Sequence, residues 1–312
     1  MTRFAFIAGL FVALVVDAQA QRPIQWISNT EQGLAQARRV ELPVMFYVAG
    51  SSSNNQDDDI RQAQQATFRD PTVVAVAQER FVPVRLSLST QTKELLEKLG
   101  GATNYGNYLI FATPDMQPLG SIIPSNITQP AALVQQMTQI FRQFRKQLFE
   151  SKYKEKLESA DTSANEQIKI LKTINRYIIT EADESVVKLL ENADLKANVR
   201  KQVYDTLSNL STKPCVEALF TAAQTDKLAA KALYGCQNVA AEYLLPKLKS
   251  ENFDEFVAAY EAIVKIANLG KPKSKGFWNG TNQQLLNEEI DRVEKGAQRA
   301  ANNWRQKYEA LR

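Results

Sequence analysis

Between Trp26 and about Phe149 the chain alternates short apolar runs with amphipathic ones. Ser28-Asn29-Thr30-Glu31 supplies capping residues, and Leu34, Ala37 and Val40 follow at helical spacing, which predicts a helix. Val44 to Val48 is wholly apolar and bounded by Pro43, the pattern of a short buried strand. A second helix is expected to carry Ile60, Ala63, Ala66 and Thr67, and Asp70-Pro71 opens a third over Val73, Val74, Val76 and Ala77, with proline at its first position. Phe81 to Leu86 reads as a strand whose Pro83 suits a sheet edge or a bulge. A short helix over Thr92 to Leu99 precedes strands at Tyr108 to Ala112 and Leu119 to Ile123. The turn residues Thr113-Pro114-Asp115-Met116 between them predict a hairpin. A long helix begins near Pro130. Interleaved elements of this kind predict an α/β sandwich around a central sheet.

Beyond Phe149 the period is helical throughout. Apolar stripes recur at Ile168, Leu171, Ile174 and Ile178, then at Val186, Val187, Leu189 and Leu190, then at Val199, Val203, Leu207 and Leu210. Further segments run over Val216 to Ala223, Lys227 to Cys236, Ala240 to Leu248 and Phe253 to Leu269. Short helices followed by longer ones, at a period of about 30 residues, predict an α-solenoid, with an irregular bundle as the alternative. Lys271-Pro272-Lys273-Ser274-Lys275-Gly276 reads as a loop, and Phe277 and Trp278 are expected to tuck their rings under the terminal helix. That last helix spans Thr281 to Leu311, with Leu285, Leu286, Ile290, Val293 and Ala297 as its stripe.

The first of these regions resembles the exported thioredoxin-like proteins. The resemblance rests on WISNTEQGLAQA at Trp26 to Ala37, on Leu42-Pro43-Val44-Met45-Phe46-Tyr47, and on Thr67-Phe68-Arg69-Asp70-Pro71-Thr72-Val73 followed by Glu79 to Val84. Leu109-Ile110-Phe111 and Pro114-Asp115 match the later strand and turn. It implies a redox loop after the strand at Val44, where the family carries Cys-x-x-Cys at a helix N-terminus that lowers the thiol pKa. Here the loop reads GSSSNNQDDD, with Ser52 and Asn55 at the matching places. The family's cis-proline position falls on Asn107, where a trans bond is expected because a cis non-prolyl bond costs about 2.5–4 kcal/mol. The domain is therefore expected to be redox-inactive. Asn198-Val199-Arg200-Lys201-Gln202-Val203 resembles the second helix of a HEAT repeat, a stack that usually offers its surface to a macromolecule. The expected organisation is a leader over 1–20, a thioredoxin-like α/β domain over 21–149 and an α-helical, HEAT-like domain over 150–312.

The leader comes from Met1-Thr2-Arg3, the apolar run Phe4 to Val16, and Ala18-Gln19-Ala20, a small-x-small cleavage pattern. The run is shorter than the roughly 20 residues that span a bilayer. Export, cleavage after Ala20 and a periplasmic or extracellular mature chain without a stable membrane anchor are the expectation. A net charge of +4 over 312 residues, with no basic tract, argues against nucleic acid as a partner.

Histidine is absent. That excludes Ser-His-Asp and Cys-His nucleophile pairs and removes the commonest nitrogen ligand for zinc. The two cysteines, Cys215 and Cys236, lie at apolar positions of predicted helices. They either pair as a disulfide in an oxidising compartment or serve as small buried hydrophobes. Asp57-Asp58-Asp59 lacks the glycine and alternating spacing of a calcium loop, so one Asp is expected to cap the following helix. No catalytic residue, metal site or cofactor is assigned. On the family geometry Ser52, Asn55, Asp57, Tyr105, Asn107 and Tyr108 would form a binding face at the degenerate loop. The chain reads as an exported, non-catalytic binding or scaffold protein for a protein or peptide partner. Its rival is a thiol-disulfide oxidoreductase or redox chaperone acting through Cys215 and Cys236.

Overall fold

The structure is a computed structural model that describes residues 23–50, 55–87, 90–101, 106–280 and 282–309. The chain divides into two compact units between Leu133 and Val134, inside the long helix and upstream of the change in pattern at Phe149. The expected leader, Ser52 and Tyr105 lie outside the described residues.

In the first unit Asn29 caps helix α1 (Thr30–Val40) by accepting the N–H of Gln32 at 2.9 Å. Strand β1 (Val44–Ala49) follows, buried along almost its whole length. Helix α2 (Asn55–Thr67) comes next, then α3 (Pro71–Arg80), whose cap Asp70 accepts from the N–H groups of Thr72 and Val73. Strand β2 (Val82–Ser87), helix α4 (Thr90–Lys98), strands β3 (Tyr108–Ala112) and β4 (Pro118–Ile122), and the short helix α5 (Pro124–Ile127) complete the unit before α6 (Pro130–Leu148) begins.

The strands form one mixed sheet in the order β2-β1-β3-β4. β1 is parallel to β2 and antiparallel to β3, which is antiparallel to β4. β1 and β3 are central, which is why both read as unbroken apolar runs. Among the described residues β2 is bordered outside by an isolated parallel bridge at Ile27. Pro83 sits on that outer side: its carbonyl accepts from the Ile27 N–H, while the N–H of Val82 turns inward to Pro43. The imide therefore removes no bond to β1, as the edge reading requires. The β3–β4 turn closes through Thr113, whose N–H donates to the Gln117 carbonyl and whose carbonyl accepts the Met116 N–H. Gly33 lets α1 lie against β2, since a Cβ there would fall 2.4 Å from Val84 Cγ2.

One face is not the expected one. α2 buries Gln64 and Thr67, leaving Ala63 and Ala66 exposed. The acidic run also does not cap from outside. α2 starts at Asn55, so the acidic run lies within its first turns, where the negative charge of Asp58 and Asp59 meets the positive end of the helix. Asp58 pairs with Arg61 at 2.6 Å.

The second unit is helical. A π-helical turn (Phe149–Tyr153) carries α6 into α7 (Lys154–Glu158), and α8 (Ala164–Tyr177) follows. Then come α9 (Asp183–Lys188), α10 (Ala197–Leu210), α11 (Lys213–Ala223), α12 (Lys227–Tyr234), α13 (Ala240–Leu244), α14 (Phe253–Ile266), α15 (Lys275–Gly280) and α16 (Gln283–Tyr308). Successive helices alternate between two rows. In one row α8 packs on α10, α10 on α12 and α12 on α14; in the other α7 packs on α9, α9 on α11 and α11 on α13. α16 lies across the last member of each row.

Two expectations change in this unit. The aromatic segment expected as a loop is helical over Lys275–Gly280, and Trp278 packs edge-on against Phe256 and Tyr260 of α14. The covered stripe of α16 is Glu289, Val293, Ala297, Ala301 and Trp304, while Leu285 is 47% exposed. A buried carboxylate has taken the place the apolar pattern assigned to leucine.

Candidate functional site

The junction of β1 and α2 is where the sequence placed a binding face, and of its residues Asn107 and Tyr108 are buried. Asn107 is 7% exposed and holds φ at 64°, a left-handed conformation that asparagine tolerates better than most residues. Its N–H donates to the Val48 carbonyl at 2.6 Å. Its carbonyl accepts Gln64 Nε2 at 2.7 Å, and its side-chain Oδ1 accepts the Gly50 N–H at 3.1 Å. Tyr47 has one hydroxyl proton, shared between Gln64 Oε1 at 3.0 Å and Asn107 Oδ1 at 3.3 Å. Gln64 Nε2 also reaches the Pro124 carbonyl at 3.4 Å.

These bonds tie together the end of β1, the middle of α2, the start of β3 and the start of α5. Gln64 is fully buried, so each bond acts in a setting where an unmade one is expensive. Burial raises the Tyr47 phenol above its ordinary value, with Arg85 and Arg61 pulling the other way, and the group stays a hydroxyl. The backbones at the junction also meet closely: a Cβ on Gly106 would fall 2.2 Å from Gly50 Cα. Phe68 packs edge to face on both Trp26 and Tyr47, which are tilted against each other, with ring centroids 5.2–5.5 Å apart beside the network.

Of the expected face, then, Asn107 serves as a structural bracket and Tyr108 is a buried residue of β3. Asn55 and Asp57 lie on α2. The peptide bonds of the described residues are all trans. The residues that hold the junction together, Tyr47, Gln64, Gly50 and Gly106, were not singled out as site residues in the sequence. A signal was available for Gln64, which stands four residues after Ile60 and three before Thr67 on one face of α2.

In the helical unit Cys215 and Cys236 are buried thiols. Burial, the largest cause, pushes Cys215 up to about 12. An activated thiol needs the opposite surroundings, electropositive and partly exposed. A second polar cluster holds α16 to α14. The Tyr260 hydroxyl donates to Glu289 Oε1 at 2.6 Å and accepts the Lys273 N–H at 2.9 Å. Arg292 grips the same carboxylate with a fork of 2.8 and 2.7 Å. These hydrogen bonds hold Glu289 below the usual carboxylate range, while burial and the Glu289 contact raise Tyr260 to about 12. Every charge in the cluster is matched, which marks it as a clamp.

The helical unit has an open cleft of about 530 Å³ between the α7–α8 turn and the segment from α9 to α10. Ser163, Gln167, Ser185, Lys188, Asn192 and Lys196 are among its lining residues, and the Ser185 hydroxyl donates to Glu158 at 2.6 Å. Donors and acceptors alternate there with the apolar walls of Leu157, Leu189 and Leu195. Among the described residues no cluster of three or more His, Cys, Asp or Glu groups could hold a metal ion, and no helix is long and apolar enough to cross a membrane.

Comparison with protein-family models, with curated proteins and with solved structures finds no match for this chain. The fold is a small mixed four-stranded sheet followed by a helical region, and the functional reading rests on its geometry.

Proposed function

We propose that this protein is an exported, non-catalytic binding protein in which a thioredoxin-like domain without its thiols precedes a HEAT-like stack that docks a protein or peptide partner. The observation that carries the reading is the Tyr47–Gln64–Asn107 network. It joins β1, α2 and β3 beside the junction by internal hydrogen bonds, the state of a scaffold element. The strand order supports the thioredoxin-like assignment, because the Ile27 bridge extends it outward beside β2, next to the parallel β1–β2 pair. The alternating rows of helices support the repeat assignment, since in a solenoid each unit touches only its neighbours and leaves long faces for a partner. The cleft beside α8 falls in the size range of ligand pockets, and its largely polar lining includes Lys188 and Lys196.

The reading is tested by affinity capture from the exporting compartment, followed by direct binding of each captured protein to purified wild type and to the double substitution Lys188→Glu, Lys196→Glu. A partner that binds wild type saturably and the variant at least tenfold more weakly supports it. Turnover in an insulin-reduction assay that disappears in Cys215→Ser would overturn it in favour of the thiol-disulfide oxidoreductase.

A further inference from the structure

Helices α11 and α12 pack together across a short connection over residues 224–226, so they form an antiparallel hairpin. Cys215 lies in the first turn of α11, and Cys236 follows the last residue of α12 by two positions. Both therefore stand at the same level, at the open end of the hairpin. Two hydrogen bonds fix that end. The Gln237 N–H donates to Ser211 Oγ at 2.9 Å, and the Ser208 hydroxyl donates to the Ala232 carbonyl at 2.7 Å. They hold the segment around Cys236 against the turn that leads into Cys215. Both residues are buried, at 0% and 7% exposure, and Cys236 lies near enough to act electrostatically on Cys215. Packed helices lie about 8–10 Å apart and a disulfide needs Cα atoms within about 7 Å, so the bond requires the backbone at this end to draw together.

We propose that Cys215 and Cys236 form a disulfide that closes the open end of the α11–α12 hairpin when the chain folds in oxidising surroundings. The oxidant is a small-molecule disulfide such as oxidised glutathione. One cysteine thiolate attacks it, its S–S bond breaks, and one glutathione thiolate leaves. The second cysteine thiolate then attacks the mixed disulfide, the Sγ–Sγ bond forms, and the second glutathione leaves. The two cysteines lose two electrons and two protons; glutathione gains both. Cys215 is ionised too rarely in the folded unit to exchange quickly, so the bond is made while the hairpin is still open, and either cysteine can react first. Its role is to hold the repeat together, and the proposal stands apart from the binding function.

The test is refolding of the full chain in oxidised and reduced glutathione, quenching with iodoacetamide, and intact mass with peptide mapping. The expected product is lighter than the reduced chain by two hydrogens, carries no alkyl group on either cysteine, and yields a cross-linked peptide joining Cys215 to Cys236. Closing a loop of this size predicts that reductant lowers the urea midpoint of the helical unit by about 1 M. Alkylation of both cysteines, a persistent glutathione adduct on Cys236, or a disulfide-linked dimer would each overturn the proposal. An unchanged urea midpoint in a correctly cross-linked product would overturn its stabilising role. The measurement uses wild type throughout, so it does not depend on any variant folding.

Discussion

Gln64→Leu tests the bracket at the strand-to-helix junction most directly. The change keeps the volume near that of glutamine and removes only its two polar atoms. The Tyr47 hydroxyl retains Asn107 Oδ1 as an acceptor at 3.3 Å, so it need not be stranded. The Asn107 carbonyl loses the 2.7 Å bond from Gln64 Nε2 in a site closed to water. A buried acceptor left unmade costs about 1–3 kcal/mol, and the lost bond itself contributes about 1 kcal/mol. Greater burial of apolar surface by leucine offsets part of this, which leaves an expected loss of about 2 kcal/mol. Tryptophans occur in both units, so fluorescence would mix their transitions. Urea titration should instead be followed by hydrogen exchange of the peptide covering β1, where the midpoint is expected to fall by about 1 M. Gln64→Glu adds a signed control. A buried carboxylate has its folded-state pKa raised, so the variant should be least stable at neutral pH and recover on acidification, as the protonated carboxyl introduced there again donates to the Asn107 carbonyl. A Gln64→Leu midpoint within error of wild type would refute the claim that these bonds hold the junction.

Three further outcomes follow from the same geometry. Gly106→Ala places a methyl against the Gly50 backbone; it should destabilise the first unit by about 1–3 kcal/mol, and a urea transition equal to wild type would count against the close approach. In the reduced protein Cys215 should react with a thiol reagent only as fast as the helical unit opens, because its thiol is buried and raised to about 12; rapid stoichiometric labelling at neutral pH would refute that burial. Glu289 has a folded pKa below its ordinary value of 4.5, chiefly through Arg292. Its stabilising contribution is complete above 4.5 and is lost as pH falls through the lower folded value. Glu289→Gln should therefore flatten the acid limb of the helical unit's stability curve measured by circular dichroism, and an unchanged acid limb would show that the clamp does not sense pH.

The chain's local pattern was enough to find the buried strands at Val44 and Tyr108, the Asp70 cap and Pro71 start of α3, and the β3–β4 hairpin. It also gave the change to purely helical periodicity in the second half. Each of these follows from neighbours within a few residues, through alternation, caps and turn chemistry. What it could not yield were the relations between distant positions. Gln64 meets Asn107 across 43 residues and Tyr260 meets Glu289 across 29. A glutamine or glutamate on a helical stripe looks locally like a solvated residue until its partner is in place. The same reason explains α16: Val293 and Ala297 of the expected stripe are buried, but nearer the helix start Glu289, held by the Tyr260 hydroxyl and Arg292, is buried while Leu285 is exposed. Sequence determined most of the strands and helices, the helical turn at Lys275–Gly280 apart, and which side chains are apolar. Only the tertiary structure decided that Asn107 and Tyr108 beside the β1–α2 junction are buried, because hydrogen-bond satisfaction is a property of residues brought together by the fold.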